Sequence, residues 1–234
     1  NSGVNSNSSA APGGMTINTY QLGAYGDYAL RHDVHANYQV DFGLNNNKEY
    51  RNLSAFNGVA GVSTGTSGVN ANGNYNSYVG HLGAGLRQFF PVAEKTTLIP
   101  SVRADYTTVQ SNAYSETGAG SLNLNANSQT YNMLLLSADL KVDQMLTEKL
   151  KMSANVGAGY NTLNNQVQMT TAFQGGGPAF TTNGLQISPW LYNAGLGISG
   201  RISKDVEMNV RYDTQFSTSS YNNQMVSAKL KFYY

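Results

Sequence analysis

The sequence contains no cysteine, so neither disulfide bonds nor thiolate metal sites are available to the fold. Charged residues make up only 12% of the chain, about half of the roughly 25% found in ordinary soluble proteins. No run approaches the ~18 consecutive apolar residues of a membrane-spanning helix. The net charge of +1 gives no basic patch, and we therefore expect no nucleic-acid partner. This composition suits an exported protein that folds without oxidation.

What the sequence does contain is a strict alternation of apolar and polar residues, which predicts β-strands. The segment LKMSANVGAGYN at 150–161 is one example, and VSAKLKFYY at the end of the chain is another. Such strands exceed the ~5–6 residues usual in soluble sheets and match the ~9–11 residues of a transmembrane β-strand. About nine of these stripes follow one another, at about 20–31, 33–44, 78–90, 98–110, 122–142, 150–161, 189–202, 205–216 and 226–234.

The connections between the stripes alternate in length. Short charged ones lie at 31–33, 91–96, 146–149 and 203–205, and long ones rich in Asn, Gly, Ser and Thr at about 45–76, 111–121 and 162–187. Outer-membrane barrels have short periplasmic turns and longer external loops. We therefore predict an all-β, antiparallel transmembrane β-barrel in a Gram-negative outer membrane, with extracellular long loops and a periplasmic C-terminus. A soluble β-sandwich is the alternative, and strand length, low charge and aromatic stripe ends argue against it.

An odd number of strands has a further implication. Single-chain bacterial barrels have an even number, and an open sheet edge in lipid leaves backbone groups unpaired. Residues 1–14 are too polar for a membrane strand, and we predict that they form an external loop or linker before a barrel domain at 15–234. We expect the missing strands to lie upstream of Asn1.

The stretch 98–142 resembles the translocator β-domain of bacterial autotransporters, the type V secretion proteins. In that family a strand that opens with Pro is followed by a Tyr-x-Glu-x-Gly-x-Gly loop and then by a Leu-x-Leu strand. The segments 20–30 and 42–51 also look like middle strands of the family, and the resemblance covers most of 15–234. The matching residues are Tyr114, Glu116, Gly118, Gly120, Leu122 and Leu124.

The resemblance implies a twelve-stranded barrel, of which this chain holds about nine strands, with a helix from the passenger segment in its lumen. It implies a translocator that anchors a passenger and gives it a hydrated route to the cell surface, with outer-membrane lipid and the passenger as partners. It implies neither enzymatic activity nor a cofactor. The alternative function is a free-standing outer-membrane channel or a surface-binding barrel that acts as an adhesin.

The C-terminal stripe has a second implied role. In outer-membrane proteins generally, a last strand that ends in aromatic residues resembles the signal read by the barrel-assembly machinery. The residues expected to carry this signal are Leu230, Phe232 and Tyr234.

Three patterns could suggest chemistry, and each has a simpler interpretation. GVSTG at 61–65 matches G-x-S-x-G but lies in a loop without the strand–turn–helix context of a nucleophile elbow. GLGISG at 195–200 matches G-x-G-x-x-G but lies within a strand, where small residues leave room in the lumen. We interpret His32 as a turn residue and His35 and His81 as solvated lumen residues, and we expect no metal site.

Charged residues on the polar face of the stripes are the candidate functional residues. They either form an ion-pair network that braces the wall, or line a hydrated path and hold the threading helix or the translocating chain. The resemblance adds that lumen carboxylates and an Asn cut the linker in some relatives, but no residue here stands out for that role. The predicted lumen residues are Asp27, Arg31, Asp41, Arg87, Arg103, Asp105, Asp139, Lys141, Arg201, Arg211 and Asp213.

Overall fold

The chain folds into two antiparallel β-sheets. The computed structural model describes residues 2–6, 13–53, 69–184, 186–203, 205–218 and 221–232. Besides the strands, the described residues include a 3-10 turn at Gly120–Leu122. The strands are β1 (Ser2–Ser6), β2 (Gly13–Ala29), β3 (Val34–Asn52), β4 (Asn70–Gln88), β5 (Phe90–Ala93), β6 (Thr96–Ser111), β7 (Tyr114–Ser115), β8 (Leu124–Ala126), β9 (Gln129–Thr147), β10 (Leu150–Asn161), β11 (Gln168–Phe173), β12 (Phe180–Asn183), β13 (Trp190–Arg201), β14 (Val206–Ser217) and β15 (Asn222–Phe232).

The larger sheet is a meander in which each long strand pairs with the next one along the chain. Its order is β1-β2-β3-β4-β6-β9-β10-β13-β14-β15, with β5 paired to β6. The nine long strands have 11 to 19 residues. They form part of an antiparallel barrel wall, which confirms the predicted fold class and the strand count. Among the described residues, no helix is long enough and apolar enough to cross a membrane.

One face of this wall carries the apolar residues of the alternation. Their side chains are exposed, and Leu22 for example is 80% accessible. On β3 they run from Val34 to Leu44, which is ten residues at ~3.3 Å each, or roughly 25 Å of height for a strand tilted by about 40°. This height matches the apolar belt of an outer-membrane barrel. We call this surface the apolar band, and its upper edge is the paired row of Tyr20, Leu44 and Tyr78.

The strands β2, β3 and β4 continue well beyond the apolar band. β3 reaches Asn52 and β4 begins at Asn70, so much of the predicted loop at 45–76 is paired strand. Polar residues, most of them asparagines, predominate on both faces of the extension of β3 and β4. The sequence therefore has no apolar stripe there, and the prediction of a loop was wrong at 45–52 and 70–76.

The other two long connections form the second sheet, with the order β12-β11-β8-β7. Leu122 lies in the 3-10 turn and Leu124 in β8, so neither belongs to the barrel strand that was predicted to begin at 122; that strand, β9, begins at Gln129. The prediction failed because these short strands are stabilised by pairing with a connection about 50 residues away, as at Phe173 and Leu124.

The two ends of the chain differ from one another. Residues 2–6, predicted as loop, pair with β2, and Gly13 and Gly14 belong to β2 itself. These residues lie beyond the apolar band, where a strand needs no apolar face. At the other end, Leu230 and Phe232 are 59% and 56% exposed on the apolar face of β15, whereas Tyr234 lies outside the described residues.

Candidate functional site

The face opposite the apolar band carries the charged side chains, because alternate residues of a strand point to opposite faces. One cluster joins three neighbouring strands. Asp27 on β2 accepts from His35 Nδ1 at 2.6 Å and pairs with Arg87 at 2.8 Å. Phe89 lies against both side chains, 5.1 Å from the His35 ring and 5.4 Å from the Arg87 guanidinium carbon. His35 thus lies partly exposed on the polar face and is bound to a carboxylate, a partner that the sequence did not predict.

A second cluster is built around His81 on β4. Its Nδ1 lies 2.8 Å from Asp41 and its Nε2 lies 2.9 Å from Asp105, so the ring bridges two carboxylates across β3, β4 and β6. Arg103 donates to Asp105 at 2.8 Å and to the side-chain oxygen of Asn37 at 2.5 Å. His81 therefore lies partly exposed on the polar face and links neighbouring strands through two carboxylates that the sequence did not predict as its partners.

A third cluster spans β9, β10, β13 and β14. Arg211 donates through Nε to both carboxylate oxygens of Asp213, at 2.9 and 2.7 Å, and through a terminal nitrogen to Asn155. Asn155 donates to Asn193 at 3.2 Å, and Asn193 donates to Asp139 at 2.7 Å. The two Asn side chains thus carry the network between charged groups on different strands.

The remaining predicted residues lie nearer the ends of the strands. Lys141 pairs with Asp143 at 2.9 Å, and Lys151 approaches the same carboxylate at 3.4 Å. Arg31 is exposed in the turn between β2 and β3, and Arg201 is exposed at the end of β13. These two arginines are not brought into the central clusters.

Each of four aspartates on this face lies directly opposite a glycine of the adjacent strand. The Asp139 carboxylate fills the space beside Gly157. A Cβ added at Gly157 would lie only 1.9 Å from a carboxylate oxygen of Asp139. A Cβ added at Gly195 would likewise lie 2.4 Å from a carboxylate oxygen of Asp213. The glycines provide the space in which the clusters assemble. The other two pairs are Asp41 with Gly23 and Asp105 with Gly83.

A second arrangement lies above the apolar band, where the connection between β6 and β9 folds onto β3. Glu116 is 1% exposed, and Arg51 on β3 grips its two oxygens at 2.8 and 2.6 Å. The backbone N–H of Leu124 donates to the same carboxylate at 2.7 Å. A buried carboxylate with a bidentate arginine and a backbone donor is fully compensated, and it fixes this connection to the wall.

Tyr114 makes the neighbouring contact. Its hydroxyl donates to Glu49 on β3, and its ring stacks on Tyr75 of β4 with the centroids 4.5 Å apart. Gly73 leaves room for this ring, since a Cβ there would lie 2.8 Å from it. Gly118 has φ near +100° and approaches the Asn70 carbonyl, which only a glycine allows without strain. We call Glu49, Arg51, Tyr75, Tyr114 and Glu116 the latch.

Burial shapes the electrostatics of the latch. Burial raises the pKa of Glu49, and the nearby Glu116 charge adds to this, while the hydrogen bond from Tyr114 acts in the opposite direction. Burial also raises the pKa of Tyr75 to about 12, with a smaller effect of Glu49. The hydrogen bonds to Glu116 raise the pKa of Arg51. The latch therefore holds a neutral phenol pair beside an arginine that stays charged.

Sequence reasoning identified only part of these sites. The resemblance pointed to Tyr114, Glu116 and the two glycines, but their partners Glu49 and Arg51 lie 65 residues away in the chain. Nothing local in the sequence marks those two residues. For the clusters, the alternation identifies the face but not the Asn and Gln side chains that connect the charges.

A cavity of about 390 Å³ lies beside the second sheet, under the connection between β10 and β13. Its apolar lining comes from Tyr131, Met133, Leu135, Val167, Ile187 and Leu191. Side-chain amides, among them Asn161 and Gln215, complete it without any charged group.

The patterns that could suggest chemistry gain no support. GLGISG lies within β13, as expected for glycines that make room on the wall, whereas 61–65 lies outside the described residues. In the described ranges, no group of three or more His, Asp or Glu side chains is arranged to hold a metal ion.

Comparison with known proteins gives a family and a set of folds. The sequence model of the autotransporter beta-domain matches residues 1–213. No protein with a curated function matches the sequence.

Several solved structures share the fold. The translocator domain of the autotransporter NalP from Neisseria meningitidis has a TM-score of 0.68 at 20% identity. The match covers 98% of this chain and 78% of the NalP chain. The toluene transporter TodX of Pseudomonas putida has a TM-score of 0.56 at 12% identity, covering 95% and 62%. The toluene transporter TbuX of Ralstonia pickettii has a TM-score of 0.52 at 11% identity, covering 98% and 71%. At these identities the likeness concerns the fold alone.

Proposed function

The chain belongs to the autotransporter beta-domain family, and from this membership we propose how its wall and latch serve export. It is an outer-membrane translocator barrel of type V secretion. We propose that the barrel anchors a passenger and that the charged face lines a hydrated route for it. The work of the chain is then physical: it provides a path and catalyses no bond change.

The pairing of charges on the inner face is the observation that supports this proposal best. In the clusters around Asp27, His81 and Arg211, each carboxylate lies on a cation or an amide. A surface of compensated charges binds water well but offers no strong site to a passing chain, because its charges already have partners. An extended polypeptide could slide along such a wall without being trapped.

The orientation follows from the lengths of the connections. We propose that the turns at 30–33 and 148–149 lie in the periplasm, together with the C-terminus, and that the second sheet and the latch lie outside the cell. Long external loops and short periplasmic turns are the rule for bacterial barrels. The latch would then hold the second sheet at the external mouth of the route.

Three partners complete the proposal. Outer-membrane lipid covers the apolar band, which has the height of a hydrocarbon layer. A passenger segment, as the linker helix, occupies the lumen. The barrel-assembly machinery reads Leu230, Phe232 and Tyr234 at the chain end.

The test uses the full-length protein in its own outer membrane. A protease-accessible epitope is placed immediately before Asn1, and its exposure on intact cells is compared between the wild type and a variant in which β15 is deleted. We expect surface exposure that is lost without β15. An epitope that reaches the surface without the barrel would contradict the proposal.

A second candidate function is a free-standing channel for small apolar compounds. The observation in its favour is the cavity lined by Met133, Leu135 and Leu191, together with the fold shared with TodX and TbuX, which are named as toluene transporters. The residues that precede Asn1 in the full-length protein discriminate the two. A long passenger favours the translocator, and a few further strands alone favour the channel.

A further inference from the structure

A ladder of asparagines crosses the outward face of the wall immediately above the apolar band. Asn18 on β2, Asn46 on β3 and Asn76 on β4 are paired in one row. The backbone N–H of Asn112, which follows β6, donates to the Asn76 carbonyl at 3.0 Å and continues the row. Three neighbouring strands, and the residue that follows a fourth, thus carry asparagine at the same height.

This ladder is continuous with the surface that faces lipid. The row directly below it is Tyr20, Leu44 and Tyr78, the upper edge of the apolar band. Two residues of strand separate the rows by ~7 Å. The pairing of β2 with β3 and of β3 with β4 runs through both rows without a bulge, so the asparagines point to the same side as the lipid-facing residues.

The rows above the ladder have the same character. Thr16, Lys48 and Asn74 form the next row, and Gly14, Tyr50 and Asn72 form the one after it. Over these three rows, Lys48 is the one charged residue. The surface is therefore uncharged apart from one lysine, and it is about 10 Å wide across three strands at ~4.8 Å spacing.

The amide groups of the ladder are available for binding. Among the described residues, no hydrogen bond uses the side chains of Asn18, Asn46, Asn74 or Asn76. Each amide offers one acceptor oxygen and two N–H donors, which is the combination that neighbouring hydroxyl groups of a sugar require. An anionic phospholipid, which presents a phosphate and few hydroxyl groups, would instead call for a cluster of lysines and arginines, and this face has a single lysine.

We propose that this face, the asparagine ladder with Lys48 and Tyr50, binds the saccharide headgroup of an outer-leaflet glycolipid. A lipid whose acyl chains pack on the apolar band carries its headgroup to the height of the ladder. The amides form hydrogen bonds with its hydroxyl groups. Lys48 pairs with a phosphate where the headgroup carries one, and a sugar ring packs against the ring of Tyr50. The proposal rests on the orientation given under the proposed function, with this extension outside the cell.

The test compares two double variants of the full-length protein purified from outer membranes. Asn46→Ala/Asn76→Ala removes two rungs of the ladder. Asn127→Ala/Asn209→Ala removes two asparagines elsewhere, one in the connection before β9 and one on the opposite face of β14. Heat-modifiable gel migration first establishes that both variants are folded, and native mass spectrometry then counts bound lipopolysaccharide and bound phospholipid.

We expect the ladder variant to bind lipopolysaccharide about tenfold more weakly than the wild type, which corresponds to ~1.4 kcal/mol for the two lost hydrogen bonds. The control should bind as the wild type does, and phospholipid binding should not change. Equal lipopolysaccharide binding in the two variants would overturn the proposal. An equal loss of phospholipid would overturn it too, because the ladder would then recognise no sugar.

Free core oligosaccharide is expected not to compete at equal concentration, and full competition by it would contradict a membrane-bound partner.

Labelling of Lys48→Cys on intact cells separates this proposal from the one on which it rests. Labelling from outside together with unchanged glycolipid binding in the ladder variant would refute the ladder alone. Labelling only after the cells are broken would contradict the orientation and the ladder together.

Discussion

Gly195 on β13 lies directly opposite Asp213 on β14. A Cβ at Gly195 would lie 2.4 Å from the Asp213 carboxylate, 2.5 Å from the Asn155 side-chain oxygen and 2.8 Å from the Arg211 guanidinium. The absence of a side chain at Gly195 therefore leaves the space that these three side chains occupy. A position two residues along the same face, Gly197, has its nearest contact at 3.5 Å and could hold a methyl group.

This difference predicts the effect of adding one methyl group. Gly195→Ala should displace the cluster and lower the stability of the barrel by about 1–3 kcal/mol, as overpacking does elsewhere. Gly197→Ala, on the same strand and face, should change stability by less than ~0.5 kcal/mol. The measurement is the temperature at which the folded band disappears in heat-modifiable migration. Equal midpoints for the two variants would contradict a tight fit at Gly195.

Breaking the latch should loosen the second sheet and leave the barrel folded. Glu116→Ala removes the carboxylate that compensates Arg51 and accepts from Leu124. Loss of one partner of a buried pair costs ~3–5 kcal/mol, and since Arg51 is partly exposed we expect about 2 kcal/mol here. Hydrogen exchange at the Leu124 amide reports this opening. Glu148→Gln, in an exposed turn, is the control, and unchanged exchange in the Glu116 variant would show that the latch does not hold the connection.

The latch should also respond to pH through Glu49. Its raised pKa means that the folded state binds a proton more readily than the unfolded state, so the contribution of Glu49 to docking is greatest below its ordinary pKa of 4.5 and declines as the pH rises through the raised value. Protection of residues 112–128 from hydrogen exchange, corrected for intrinsic rates, should therefore fall as the pH rises above about 4.5. Glu49→Gln should flatten this dependence. The same slope in that variant would assign the effect to another group.

The C-terminal strand predicts an assembly phenotype. Phe232→Asp places a charge on the apolar face of β15, and Tyr234→Ala removes the aromatic ring two residues further on, so both variants alter the proposed assembly signal. Both should lower the amount of folded barrel in the outer membrane. Ser227→Asp, on the opposite face of β15, is the control and should assemble normally. The amount of folded band in isolated membranes is the readout, and normal assembly of the first two variants would refute the signal.

Sequence reasoning succeeded where the chemistry repeats along the chain. The alternation from Leu150 to Tyr160 predicts a barrel strand directly, because a strand that faces lipid has to present an apolar side chain at every second residue. It failed for the strands beyond the band, such as the ladder row at Asn46, since both faces there are polar and the alternation vanishes. It could not find the partner of Glu116 either, because pairing across 65 residues depends on the register of the whole wall. The opposition of Asp213 and Gly195 likewise becomes visible only when that register is known.

The central claim is that the face with the charge clusters, and not the apolar face, borders the route of the passenger. Asn155 and Val156 are neighbours on β10 that point to opposite faces. A photo-crosslinking residue at each position, in a full-length protein whose passenger is stalled during export, compares the two faces at the same depth in the membrane. We expect crosslinks to the passenger from position 155 and none from position 156. Crosslinks from position 156, or from neither position, would contradict the claim.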